Sequence, residues 1–354
     1  MNTPLPDTAE AASTDMILDV VHETHYDYDS TVSVAQHLAH LKPIEDADQR
    51  LLDFTLHISP QPSYQRDSID AMGNAQCHFS LDKPHDSLVV RATSRVRLRA
   101  RFAALQAEAS VPWDELASSL RYVARAPLRQ PVEYAMPSFY VPRLAALRDY
   151  AAPSFPPGQP VALGALSLMH RIQRDFKYES SSTEVDTPLA EVLKQRRGVC
   201  QDFAHLMTGC LRMLGLPARY VSGYLLTHAA DSGEALLGAD ASHAWVQVWC
   251  PNTPGVPADG WLGLDPTNDL VPSTSHVRLA VGRDFGDVTP LRGVIRSGGS
   301  HRLRVGVSTR SGPAAEVAAK VAAPAAATAD MGVDVAKVTA LSAAELSNKR
   351  MGFP

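Results

Sequence analysis

Hydrophobic residues alternate with polar ones in the first third of the chain. Met16-Ile17-Leu18-Asp19-Val20-Val21, Leu52-Asp53-Phe54-Thr55-Leu56-His57-Ile58 and Leu88-Val89-Val90-Arg91-Ala92 carry this period of two, separated by Pro, Gly, Asp and Ser clusters. Residues 16–105 therefore read as an all-β, sandwich-like domain. Residues 106–159 are mixed, with helices expected over Trp113 to Val123 and Val141 to Tyr150. Pro153-Ser154-Phe155-Pro156-Pro157-Gly158 marks a connection. The period then changes to helical. Leu166, Met169, Ile172 and Phe176 share one face of a helix over Val161 to Phe176. A shorter helix is expected from Thr187 to Gln195, with Thr187 as cap and Pro188 at the first helical position. Phe203, Met207, Leu211 and Leu214 give a third apolar stripe, stopped by Gly215 and Pro217. Strands follow at Asp240 to Trp249 and Trp261 to Asp265. In the first of them His243, Trp245, Gln247 and Trp249 face one way and Ala244, Val246 and Val248 the other. The fold class is α+β.

Candidate chemistry lies at the edges of these elements. Cys200 stands at the start of the helix that carries Phe203, Met207 and Leu211, where unpaired N–H groups and the macrodipole favour a thiolate. If the two strands are antiparallel neighbours, His243 and Asp265 project from the same face, and the helix delivers Cys200 to it. Nucleophile, base and base-orienting carboxylate are then in chain order Cys, His, Asp. Each residue also has a plain structural reading: a buried thiol, a core histidine, a turn-forming Asp before Thr267. The signature around Cys200 and its spacing to His243 differ from those of papain or the caspases.

Longer strings carry a resemblance. Arg197-Gly198-Val199-Cys200-Gln201-Asp202-Phe203-Ala204-His205, Gly215-Leu216-Pro217-Ala218-Arg219-Tyr220-Val221-Ser222-Gly223-Tyr224-Leu225, Gly238-Ala239-Asp240-Ala241-Ser242-His243-Ala244-Trp245 and Leu264-Asp265-Pro266-Thr267-Asn268 resemble the bacterial transglutaminase-like family. The resemblance implies a papain-like α+β core, its Cys-bearing helix packed on an antiparallel sheet. Cys200 is then the nucleophile, His243 the general base and later acid, and Asp265 the orienting carboxylate. His22-Glu23-Thr24-His25-Tyr26-Asp27-Tyr28, Asp70-Ala71-Met72-Gly73-Asn74 and Pro84-His85-Asp86-Ser87-Leu88 look like the N-terminal β domain of that family. His276-Val277-Arg278-Leu279-Ala280-Val281-Gly282-Arg283-Asp284-Phe285 matches on the C-terminal side, so the likeness spans residues 16–310. One departure is Ser30-Thr31-Val32, where a proline is expected before the valine; it concerns a turn, not the chemistry. The resulting division is 1–15 flexible tail, 16–105 β domain, 106–159 connection, 160–310 catalytic core, and 311–354 Ala-rich, unanchored tail.

Composition narrows the picture a little. A chain of 354 residues with 45% hydrophobic content suits two domains. A net charge of -5 offers no general attraction to nucleic acid or anionic membrane. Arg95-Val96-Arg97-Leu98-Arg99-Ala100-Arg101 alternates and reads as a solvated strand face. No stretch suits a bilayer, and Met1 to Asp15 lacks the pattern of a signal peptide, so the expected location is cytoplasmic. The four cysteines (Cys77, Cys200, Cys210, Cys250) show neither Cys-x-x-Cys spacing nor a disulfide framework. A metal site of Cys200, His205, His243 and Asp265 is chemically conceivable, but nothing positive supports it. No cofactor, no metal and no acidic calcium cluster are expected.

The expected reaction is acyl transfer through a thioester on amide bonds of a peptide or protein substrate, with water as the preferred acceptor. One alternative is a protein cross-linker with an amine acceptor. The other is a peptide-binding module without turnover. Gln201 or a nearby aromatic is a candidate second oxyanion donor beside the Cys200 N–H. Tyr178, Tyr224, Trp245 and Trp261 are candidate groove walls, although such aromatics are more often packed. Oligomeric state is not legible.

Overall fold

A computed structural model describes residues 15–121, 124–125, 130–180, 182–226 and 242–311. The expected tails fall outside these residues except at Asp15 and Ser311. Five strands open the chain: β1 (Met16–Ala39), β2 (Gln49–Ser59), β3 (Tyr64–Ile69), β4 (Ala75–Leu81) and β5 (His85–Leu98). Helices α1 (Trp113–Ser119), α2 (Ala145–Ala151) and α3 (Val161–Asp175) follow, then β6 (Lys177–Tyr178), α4 (Leu189–Gln195) and β7 (Arg197–Gly198). Next come α5 (Cys200–Met213), β8 (Ala218–Leu225), β9 (Ser242–Trp249), β10 (Trp261–Leu264) and β11 (His276–Gly282). A short α6 (Phe285–Val288) leads to β12 (Leu291–Ser297) and β13 (His301–Ser311).

The α2 helix begins later than its apolar pattern suggests. Pro142 disfavours helical backbone at Val141, which instead closes a turn on Ser138. The start of α4 also shifts. Pro188 occupies the cap position, and the Thr187 hydroxyl accepts the Glu184 N–H at 2.8 Å.

One seven-stranded antiparallel sheet contains β2-β5-β1-β4-β3, with β12 and β13 also on β1. The length of β1 makes this possible. Its first half, from Leu18 to Tyr28, pairs with β13 while also pairing with β5, and its second half pairs with β12 and β4. The register with β5 shifts between Asp27 and Val32, where Ser30-Thr31 stands, and Thr31 donates to Asp86 at 2.6 Å. Residues 291–310, expected with the catalytic core, thus return to the first sheet. Arginines on β5 face carboxylates, Arg91 meeting Glu23 and Arg95 meeting Asp19, and just past its end Arg99 meets Asp15. The solvated face expected over Arg95 to Arg101 stops short of Arg101, which lies beyond the strand with its side chain buried against Asp46 and Asp48.

A second antiparallel sheet runs β10-β9-β8-β11. Phe203, Leu206, Met207, Cys210 and Leu211 of α5 share a core with Tyr220, Ala244, Val246, Val248, Leu262 and Leu264 of that sheet. Trp245, on the other face of β9, packs with Val221, Val281 and Ile44. The helix therefore covers the face opposite His243, and Cys200 reaches the ring because His243 is the second residue of its strand.

Among the described residues the outer edge of β11 has no strand beside it, and an open edge is a liability in a sheet. Two side-chain amides from the first unit close it. Gln49 donates to Arg278 O and accepts from Arg278 N, both at 2.8 Å. Asn74, fully buried, does the same for Val281 at 2.8 Å each and also donates to Asp70. An amide presents its C=O and N–H side by side, as a strand does, so both side chains act as single-residue strand substitutes. Asn74→Leu leaves buried backbone groups unpaired and should cost roughly 3–5 kcal/mol. Urea denaturation checks this, and a loss below about 1 kcal/mol would contradict the clamp.

Among the described residues no helix is long and apolar enough to cross a membrane.

Candidate active site

Local geometry places Cys200 at the first turn of α5. Val199 is extended, and its N–H is taken by the Asp202 carboxylate at 2.8 Å, three residues into the helix. Thr183 donates to the same Asp202 oxygen at 2.6 Å, tying the preceding loop to the helix start. Gly198 makes room for this carboxylate, since a Cβ there would stand 2.7 Å from Asp202 Oδ2. Gly198 also pairs with Tyr178 across the short parallel β6–β7 ladder. Cys200 is partly exposed, whereas Cys77, Cys210 and Cys250 are buried, and none of the four is in a disulfide. Burial pushes the Cys77 and Cys210 thiols up to about 12 and Cys250 higher still.

His243 and Asp265 meet on the sheet. His243 Nε2 lies 2.8 Å from Asp265 Oδ2, with both side chains fully buried. Asp265 Oδ2 also takes the Asn268 side-chain N–H at 2.9 Å, and His276 Nε2 lies 3.2 Å away. The other oxygen, Oδ1, accepts the Thr267 and Asn268 backbone N–H groups at 3.0 and 3.2 Å. Asp265 is thus both a turn former and a partner of His243, one oxygen for each task. Burial alone would raise its pKa. The His243 charge and hydrogen bond, with those of His276, overcome that and hold the carboxyl well below the usual range.

An ionised carboxylate only accepts, so His243 carries a proton on Nε2 and turns Nδ1 away from Asp265. Nδ1 has no nitrogen or oxygen partner among the described residues. Burial disfavours the imidazolium, but Asp265, and then the adjacent Cys200 sulfur, hold its pKa well above the ordinary histidine value. Sulfur, imidazole and carboxylate therefore form one contiguous line.

His205 does not join them. Its Nε2 accepts the Phe285 N–H at 3.1 Å, its ring stacks on Tyr140 at 5.5 Å, and burial lowers its pKa to about 3. Ligand-type atoms of His243, Asp265 and His276 lie within 4.8 Å of one another. An ion among them would have to displace hydrogen bonds already present.

The remaining sequence candidates separate. Gln201 donates to Val185 O at 3.2 Å, which engages its amide with the 182–187 loop. Tyr178 is half-buried and feels the Cys200 charge. Tyr224 is buried with its hydroxyl on His22 Nδ1 at 2.9 Å, and Trp245 is 1% exposed. Trp261 is buried between the Arg219 guanidinium, 4.2 Å from its ring centroid, and Tyr134. These three are core residues, not open groove walls, because each is enclosed by the first unit or by neighbouring rings. Sequence reasoning missed the contacts of His276 with Asp265 and the nearness of Tyr220 to Cys200. His276 stood inside a matching string, but no spacing rule ties it to Asp265.

Comparison with known proteins places the chain in a family. The bacterial transglutaminase-like N-terminal region matches residues 18–97, and the transglutaminase-like superfamily matches residues 150–266. The uncharacterized protein Rv2569c of Mycobacterium tuberculosis is 38% identical over 290 residues, covering 78% of this chain and 86% of that protein. A protein-glutamine gamma-glutamyltransferase of Pseudomonas aeruginosa is 34% identical over 134 residues, 37% of this chain and 19% of that protein. The fold is similar to the crystal structure of a candidate cysteine protease from Cytophaga hutchinsonii. The TM-score is 0.64 at 22% identity, covering 84% of this chain and 91% of that one. With both regions matched in order and a relative of this similarity along most of its length, the chain belongs to the bacterial transglutaminase-like family.

Proposed function

We propose that this protein is a cysteine acyl-transfer enzyme that hydrolyses amide bonds of peptides or proteins. The single observation that carries the reading is the setting of His243, Nε2 held by Asp265 and Nδ1 without any nitrogen or oxygen partner beside the Cys200 sulfur. With the Cys200 thiol proton transferred to His243 Nδ1, the Cys200 sulfur attacks the amide carbonyl, and the oxyanion is stabilised by the Cys200 N–H at the helix start and by the Tyr178 hydroxyl. His243 gives its Nδ1 proton to the leaving amine as the C–N bond breaks and the thioester remains. Nδ1 then takes a proton from water, whose oxygen attacks the thioester. The C–S bond breaks, the acid leaves, and the Cys200 thiolate remains beside the His243 now protonated on Nδ1. Asp265 keeps the ring in this tautomer and balances its charge. Four thiols without a disulfide suit a reducing compartment, which supports a cytoplasmic location.

A second reading keeps the thioester and replaces water with an amine. The name of the Pseudomonas aeruginosa relative favours it, over a match to 37% of this chain. Incubation with Gln- and isopeptide-containing peptides, followed by acid quench and mass spectrometry, tests the proposal. The expected result is an acyl adduct on Cys200 that decays to free acid at a rate added amines do not change. Amine-dependent decay would transfer the assignment to the cross-linking reading. No adduct on Cys200 would end both.

A further inference from the structure

His276 lies ten residues beyond the end of the superfamily match at residue 266, at the first position of β11. Its ring is buried, and its Nε2 lies 3.2 Å from the Asp265 oxygen that binds His243. The other ring nitrogen, Nδ1, is 2.9 Å from the Ser275 hydroxyl. Since Asp265 accepts only, Nε2 must carry hydrogen, and a neutral ring then leaves Nδ1 to accept from Ser275. The charged or titratable groups facing the ring are Asp265 and His243, whose ring centroid is 5.9 Å away. Trp245 stands edge-on to His276 at 5.2 Å and stacks on His243 at 5.9 Å, which fixes the angle between the two imidazoles. The strand is in turn held through Arg278, two residues on, by Gln49.

Two imidazoles on one carboxylate oxygen cannot both hold a full charge at close range. Burial, opposed by the Asp265 hydrogen bond and charge, leaves His276 lowered and neutral, so the cation belongs to His243. A carboxylate with several donors is also a poor base. Each donor, His276 included, keeps the Nε2 proton on His243 and off Asp265.

We propose that His276 is a positioning residue of the active site: a neutral second donor that orients Asp265 Oδ2 toward His243 and keeps that carboxylate from accepting its proton. The inference rests on Cys200, His243 and Asp265 being the reacting set. Without His276, Oδ2 keeps only His243 and the Asn268 side-chain N–H as partners, and the direction in which it holds His243 toward the sulfur is less tightly set.

The test uses the full chain, with iodoacetamide alkylation of Cys200 at pH 6.5 followed by peptide mapping, and 15N-histidine NMR. His276→Leu should slow alkylation about 10- to 100-fold and broaden away the low-field Nε2–H signal of His243. His276→Gln, which can place an amide N–H near the lost Nε2–H, should recover most of the rate and the signal. In the unmodified protein at pH 7, His276 should be a neutral Nε2–H tautomer. This last measurement stands even if the Leu variant does not fold, and a protonated ring or an Nδ1–H tautomer would overturn the assignment. A rate within twofold of the parent in a folded His276→Leu, while Asp265→Asn loses reactivity, would remove the positioning role alone. Unselective labelling of the parent protein, or full reactivity in Asp265→Asn, would instead remove the reacting set on which it rests.

Discussion

Replacing Asp265 with Asn should reduce acyl-enzyme formation on Cys200 by about 10⁴-fold, the scale seen when a buried triad carboxylate becomes an amide. The substitution nearly preserves shape, and its carbonyl oxygen can still accept the Thr267 and Asn268 backbone N–H groups now on Oδ1. The amide nitrogen then faces Asn268 Nδ2, His243 Nε2 and His276 Nε2, all of which donate to Oδ2 in the native protein. Donor meets donor, so His243 must move its proton to Nδ1. The nitrogen facing the sulfur then has no lone pair with which to act as base. Loss of the negative charge also removes the main influence holding His243 protonated against complete burial. Single-turnover measurement of the Cys200 adduct provides the readout, with thermal unfolding run in parallel to show that the variant is folded. A loss smaller than tenfold would mean that Asp265 serves its turn and not the chemistry.

Acid should unfold this protein at unusually mild pH. His22, His37 and His205 are buried and neutral, their pKa values lowered to about 4, 4 and 3, chiefly by burial. In the unfolded chain each titrates near 6.5. Between pH 6.5 and about 4 the unfolded state therefore binds up to three protons that the folded state refuses. Their stabilising effect is complete above 6.5 and lost as pH falls, at a limiting slope of about 4 kcal/mol per pH unit. His243 has the opposite sign. Its raised pKa stabilises the fold fully below 6.5, and that contribution fades as pH rises above it. Urea titrations from pH 4 to 9 should show a maximum near neutrality and a steep acid limb. Equal stability at pH 4.5 and 6.5 would refute it. His22 is the most informative of the three because its Nδ1 meets Tyr224, next to the His243 strand, so its protonation loosens the contact between the two sheets.

Periodicity located most elements because it reflects local burial. The alternation at β9 and the helical stripe through Phe203, Met207 and Leu211 each describe one side of one element. Boundaries were weaker where two local preferences compete, as at Val141 before Pro142. The groove aromatics were misjudged for a different reason. Trp245, Trp261 and Tyr224 look alike in sequence whether they line a cleft or fill a core. Only the neighbouring His22, Tyr134 and Ile44, remote in the chain, decide which.

By itself the sequence determined the family, the α+β class, the elements that carry Cys200 and His243, and the place of Asp265 at the end of the next strand, where it falls one residue past β10, because motif strings and periodicity are local properties. Tertiary structure alone decided what surrounds them: the second imidazole on Asp265, the engaged amide of Gln201, the return of the last strands to β1, and the amide clamp on β11. The side-chain contacts among these join residues 11 (Asp265 and His276), 16 (Gln201 and Val185), 207 (Asn74 and Val281) and 229 (Gln49 and Arg278) positions apart. No period in the chain encodes such separations; they follow from which buried donor must find which acceptor once two sheets are pressed together.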